Sequence, residues 1–237
     1  SALVFDCIYD LELFFDEMKL VYTCSLPDGE KHGKQTTNFT HRDVTDVIGA
    51  HMKESNVLLN NTDVRQIHIF KHKFEYFPRG ITNYFENIEA IHAGMNALAF
   101  LEKDDMKIFT KLRFLYLYNN VLQSLKSDVL EDNLDLQYVS FYGNQLAHIG
   151  SNLLTPLKSL KTAYFNKNVC IDLQAVHNLR EIAEIKLEIS QSCSDITDED
   201  LMQVLKQNNE KLINLEMKIS QLSEQLSDFM SSNRTEL

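Results

Sequence analysis

The sequence predicts an α/β solenoid with closed ends, and three observations carry that expectation. A frame anchored on asparagine repeats every 24 residues, cysteine pairs flank a cysteine-free centre, and an apolar stripe at alternating spacings of four and three runs through residues 201–229. The repeat comes first, because a fixed period decides the architecture. Asn96, Asn120, Asn144 and Asn168 stand 24 residues apart, and His72 holds the equivalent place one unit earlier. Around each anchor, apolar residues recur eight, five and three positions before it and two after it. The units are Val64, Ile67, Ile69, His72, Phe74; Ile88, Ile91, Ala93, Asn96, Leu98; Leu112, Leu115, Leu117, Asn120, Leu122; Leu136, Val139, Phe141, Asn144, Leu146; and Leu160, Ala163, Phe165, Asn168, Cys170.

This frame is the L-x-x-L-x-L-x-x-N-x-L pattern of leucine-rich repeats, here in about five 24-residue units. Its physics is that of a stacked core. Each L-x-L stretch is a short strand whose apolar side chains turn inward, and parallel stacking of units buries a core that no single unit could bury. An asparagine amide both donates and accepts, so a column of them can satisfy backbone groups where the chain leaves the strand. His72 at the first anchor reads as a terminal-repeat irregularity. Leu101, Phe109, Leu125, Leu130, Ile149 and Leu154 are expected to pack the convex side.

Residues between the inward leucines point onto the concave sheet. Taken six, four and two places before each anchor, they are Gln66, His68, Phe70; Ala90, His92, Gly94; Phe114, Tyr116, Tyr118; Tyr138, Ser140, Tyr142; and Thr162, Tyr164, Asn166. Five of the nine tyrosines fall on this face. Large rigid rings dominate many interfaces, so Phe70, Phe114, Tyr116, Tyr118, Tyr138, Tyr142 and Tyr164 are the candidate protein-binding residues. The alternative is that the rings stack across strands and merely strengthen the sheet, or that the chain's own C-terminal helix covers them.

A solenoid needs caps. Residues 1–63 are expected to form the first, closed by a Cys7–Cys24 disulfide, with residues 64–169 as the repeats. Residues 170–194 form the second, closed by Cys170–Cys193, with Leu173, Val176, Leu179, Ile182, Ile185 and Ile189 spaced like an amphipathic helix. An even, clustered set of four cysteines suggests these two local disulfides, the alternative being four buried thiols. Residues 195–237 form a helical segment. Its seam would be Leu201, Leu205, Asn208, Leu212, Leu215, Ile219, Leu222, Leu226 and Phe229, suited either to a coiled coil with another chain or to folding back on the solenoid. Within such a seam Asn208 would set register at a cost in stability.

Composition narrows the function. At 44% hydrophobic and 24% charged residues the chain has enough apolar material for a core, and its net charge of -11 disfavours nucleic acid as a partner. No apolar run is long enough to span a bilayer, so no membrane is expected. The start at Ser1 lacks a basic-then-apolar leader, which suits a processed secreted chain and a cytosolic one alike. Cysteine pairing and the sequons at Asn38, Asn60 and Asn233 favour secretion. Phosphate loops, nucleophile elbows and zinc-protease motifs are missing, and only seven glycines are present, so an enzyme is not expected. His68 and His72 would lie roughly 13 Å apart on a strand. His68 and His92 occupy equivalent places on neighbouring strands, but without a Cys or carboxylate in that layer no metal and no cofactor are expected.

With caps, repeats and terminal helix together, including Asn168-Val169-Cys170-Ile171-Asp172 and the stretch from Phe77 to Ile81, the chain resembles the secreted leucine-rich-repeat immune proteins of mosquitoes and related flies. It differs from them in having few repeats, a short coil and no cysteine beyond the four. The resemblance implies a secreted innate-immunity protein of haemolymph that holds a protein partner, a complement-like thioester protein in that family, and associates as a homo- or heterodimer through its C-terminal helix. A salivary or other secreted effector binding a host protein, or the ectodomain of an adhesion receptor, are the alternative readings.

Overall fold

The computed structural model describes residues 3–14, 17–26, 44–52, 60–69 and 71–193, together with residues 212, 214, 215, 217–220 and 222. The chain divides into two compact units, Ser1–Asp195 and Ile196–Leu237. The first is a leucine-rich-repeat solenoid. In chain order its strands are β1 (Leu3–Phe14), β2 (Glu17–Ser25), β3 (Val44–Met52), β4 (Gln66–His68), β5 (Ala90–His92), β6 (Phe114–Tyr116), β7 (Ser124–Leu125), β8 (Tyr138–Ser140), β9 (His148–Ile149), β10 (Thr162–Tyr164) and β11 (Gln174–Val176). Helix α1 (Lys103–Met106) lies between β5 and β6, and helix α2 (Leu179–Glu188) follows β11.

Strands β4, β5, β6, β8 and β10 are the five repeat strands, parallel and in one register. Ile67, Ile91, Leu115, Val139 and Ala163 therefore align as a single inward column, each fully buried. The other framework leucines and their substitutes are buried beside them, save the half-buried Cys170, as are Leu101, Phe109, Leu125, Leu130, Ile149 and Leu154. A second, two-stranded parallel sheet pairs β7 with β9.

The anchor asparagines tie each turn to the one before. The Asn120 amide nitrogen donates to the carbonyls of Leu117 and Ala93, both at 3.0 Å, and its oxygen accepts the Leu98 N–H at 3.1 Å. Asn144 and Asn168 make the same three bonds one and two units later, and Asn96 takes the His72 N–H at 2.8 Å. Buried backbone groups left unpaired are costly, so this column closes a gap that every exit from the sheet would otherwise open. The residue just before each anchor has a positive φ: Lys71 at 63°, Met95 at 57°, Asn119 at 52°, Gly143 at 65° and Lys167 at 58°. That left-handed residue turns the chain out of the strand, and four of the five accept it with a Cβ in place. A further asparagine, Asn133, works elsewhere in the turn, donating to the carbonyls of Met106 and Phe109 at 3.0 Å each.

At the N-terminal end, β1 and β2 form an antiparallel hairpin that places Cys7 opposite Cys24, and the two are disulfide-bonded with Cα atoms 4.0 Å apart. Strand β2 pairs parallel with β4 and β3 pairs parallel with β1, so the cap prolongs the repeat sheet, in the order β11-β10-β8-β6-β5-β4-β2-β1-β3. The Phe5 ring closes the core edge-on against Phe85, with centroids 5.5 Å apart. The stretch from Cys24 to Lys34, whose Pro27, Gly29 and Gly33 predict a turn-rich loop, lies largely outside the described residues.

The C-terminal cap corrects one expectation. The helical spacing assigned to Leu173 and Val176 is not realised: residues 174–176 are strand β11, antiparallel to β10, and Leu173 and Val176 are 37 and 46% exposed, while Leu179 opens the helix but is 71% exposed. The helix starts only at Leu179, because Asn178 caps it by accepting the N–H groups of Arg180 and Glu181. Ile182, Ile185 and Ile189 then face the core. Pairing an edge strand took precedence over the apolar period, since an open sheet edge leaves a row of backbone groups unpaired. The Cys170–Cys193 disulfide spans 23 residues, with Cα atoms 5.2 Å apart. A loop of that size contributes about 3 kcal/mol on a chain-entropy basis.

In the second unit, the described residues between 212 and 222 are helical, and Leu212, Leu215, Ile219 and Leu222 are 56–65% exposed.

Replacing Asn120 by Leu, close in volume, is expected to lower stability by about 3 kcal/mol through unpaired backbone groups. Chemical denaturation reads this directly, and a loss below about 1 kcal/mol would show that the ladder is dispensable.

Candidate functional site

The repeat strands set the geometry of the concave face. Neighbouring strands in a sheet lie about 4.8 Å apart, so rings at equivalent positions meet at stacking distance. The column four places before the anchor begins with His68, His92 and Tyr116 in register. Their centroids are 4.5 Å apart, edge to face, and then 4.2 Å apart with planes 13° from parallel.

The next place in this column is Ser140, too small to continue the stack, and it is buried. Tyr138, from the adjacent column, bridges the gap. Its ring lies 4.5 Å from Tyr116 and 5.6 Å from Tyr164, and it stacks at 6.2 Å on Phe114. The result is a continuous row, His68–His92–Tyr116–Tyr138–Tyr164, across five strands.

Small residues make room for the rings. Phe114 pairs in register with Ala90, and the two form a buried cluster on which Tyr116 and Tyr138 pack. A Cβ at Gly94 would sit 2.7 Å from the Tyr118 ring, so the missing side chain there is what lets that ring lie over the neighbouring strand. Tyr142 stands apart from the row, with the Lys167 ammonium 5.0 Å from its ring centroid, the separation of a cation–π pair.

These placements refine the expected patch. Tyr116, Tyr118, Tyr138, Tyr142 and Tyr164 are half-buried on the concave face. Phe114 departs from the expectation of a solvent-facing ring: it is only 7% exposed, because its neighbours close over it. Phe70 lies outside the described residues. His68 and His92 join the row beside the tyrosines. The signal in the sequence is their shared column on neighbouring strands, which the register of β4 and β5 turns into ring contact. Among the described residues no cluster of three or more His, Cys, Asp or Glu could hold a metal ion.

At the edges of the face, Glu89 is bracketed by two arginines, Arg65 at 3.5 Å and Arg113 at 3.3 Å. Asn60 is exposed ahead of the 3-10 turn Asn61–Asp63, while Asn38 and Asn233 lie outside the described residues, as do Leu201, Leu205, Asn208, Leu226 and Phe229.

Burial between two rings, reinforced by the neighbouring His68, pushes the His92 imidazole down to about 3. A histidine with a folded value below its unfolded one favours unfolding as it is protonated. Its penalty is absent above pH 6.5 and grows as pH falls toward 3. At pH 5 the loss is up to about 2 kcal/mol, less to the extent that solvent reaches the ring. His92→Phe keeps the stack and is expected to flatten the stability curve between pH 7 and pH 5, measured by urea titration. An unchanged slope would place the titrating group elsewhere.

No protein-family model and no curated protein matches the chain. Among solved structures, it is similar to a chain of the Toll–Spatzle complex of Drosophila, described as a molecular hub in development and innate immunity. The identity is 16% and the TM-score 0.43, over 53% of this chain and 17% of that one. It is also similar to a chain of the LRIM1/APL1C complex at 15% identity and a TM-score of 0.47, over 69% of this chain and 31% of that one. The chain therefore spans less than a third of the length of either.

Proposed function

We propose that this chain is a secreted leucine-rich-repeat binding protein that holds a protein partner on its concave aromatic face and self-associates through its C-terminal helix. The observation that carries the reading is the ring row from His68 to Tyr164, with Tyr118 and Tyr142 beside it. Rings that already hold one another in place lose little rotamer freedom when a partner covers them, so their remaining exposed area converts efficiently into affinity. Cross-strand stacking and partner binding thus draw on one arrangement and need not compete.

Two disulfides support an oxidising, extracytoplasmic location. Innate immunity in an insect, with a complement-like thioester protein as partner, is the role the sequence resemblance implies. Self-association is supported by Leu212, Leu215, Ile219 and Leu222, whose spacing forms one helical stripe and which are largely exposed within their own unit. Pairing with a second helix would remove that apolar stripe from water.

Affinity capture from native body fluid, with partners identified by mass spectrometry, tests the face. Tyr116→Ser together with Tyr142→Ser is expected to abolish capture. Tyr116 stacks on His92 and packs tilted against Tyr138, so the pair should also cost about 1–2 kcal/mol of stability; undiminished capture by the folded variant overturns the assignment. For the helix, Leu215→Glu with Ile219→Glu in the full chain is expected to turn a dimer into a monomer by light scattering. A wild-type chain that is already monomeric removes this half of the proposal.

A further inference from the structure

We infer that Asn60 is an N-glycosylation site whose glycan the folded turn accommodates without losing a contact. Three sequons occur in the chain, at Asn38, Asn60 and Asn233, and Asn60-Asn61-Thr62 lies within the described residues. Asn60 is exposed, and its two amide atoms have different duties. The oxygen accepts the Thr62 N–H at 2.8 Å and the Thr62 hydroxyl at 2.6 Å, while the backbone N–H of Asn60 donates to Asp63 at 2.9 Å. The amide nitrogen donates to no acceptor among the described residues. A sugar on that nitrogen leaves the oxygen free to keep both of its bonds, so the turn before β4 survives the modification.

The anchor asparagines show the contrast. Asn168-Val169-Cys170 also has the form of a rare acceptor triplet, but the Asn168 amide nitrogen donates to the carbonyls of Phe141 at 3.0 Å and Phe165 at 2.8 Å, and Cys170 is held in a disulfide. Substitution there would break the ladder. At Asn60 it breaks nothing.

In the transfer, the Asn60 amide nitrogen attacks the anomeric carbon of a lipid-pyrophosphate-linked oligosaccharide. The new C–N bond replaces the C–O bond to pyrophosphate, the lipid pyrophosphate leaves, and the amide gives up one proton. The inference rests on the secretory route proposed above and is independent of the ligand, because Asn60 contributes nothing to the ring row.

The test expresses the full chain behind an export signal in cultured eukaryotic cells. Medium and lysate are both read by peptide mass spectrometry after enzymatic deglycosylation in heavy-oxygen water. Isotope-labelled aspartate at position 60 is expected, together with loss of one glycan increment in Asn60→Asp and in Thr62→Ala, and its retention in Thr62→Ser. Asn60→Asp keeps an acceptor oxygen for both Thr62 bonds while removing the nitrogen, so its melting temperature should match that of enzymatically deglycosylated wild type. An unmodified Asn60 in both fractions overturns the inference, whatever the outcome of partner capture. Unchanged partner capture by Asn60→Asp keeps the two readings separate.

Discussion

Four of the five repeat turns leave the sheet at an asparagine, and the rest of the structure depends on what that side chain does. A chain that turns away from a buried strand exposes carbonyls and an N–H to an apolar interior, where each unpaired group costs more than a typical hydrogen bond contributes. Asn96, Asn120, Asn144 and Asn168 meet that demand by bridging their own turn to the preceding one. Because the bridge spans neighbouring units, it holds the period as well as the turn. It also explains why Lys71, Met95, Asn119 and Lys167 tolerate a left-handed backbone: the bonds on either side over-determine it.

The same register produces the concave face. Once the strands are locked at their ordinary separation, side chains in one column are forced to within stacking range, and composition decides whether they stack or clash. Here large rings alternate with Ala90, Gly94 and Ser140, and the rings lean into the vacancies these leave. A continuous aromatic surface is thereby assembled from the chain's own strands. The stack also keeps His92 neutral in the folded protein, which links the stability of the face to acidity.

Both ends of the solenoid solve an edge problem. Beyond β4 the sheet continues into a disulfide-bonded hairpin, and beyond β10 it is closed by the antiparallel β11 and the helix that follows. Antiparallel pairing needs only a short connection, whereas another parallel strand would need a whole further turn. The repeat array can therefore stop within a few residues at its C-terminal end.

The period, the five strands, the inward leucines and the ladder asparagines were legible in the residues, because a fixed spacing of 24 puts like side chains in like places and needs no partner to interpret. The aromatic composition of the concave face was legible for the same reason. What only the tertiary structure decided is how the side chains of neighbouring columns settle against one another. Phe114 sinks beneath its neighbours, Tyr138 crosses over Ser140, and the two histidines prolong the row, all consequences of contacts across neighbouring strands, between residues 22 to 24 apart, whose outcome depends on relative size. The stretch from Leu173 to Val176 makes the same point from the other side: its spacing alone suits the start of a helix, but the open edge of β10 made residues 174–176 a strand. Periodicity reports what one segment could bury, and the neighbouring backbone determines which of its options is taken.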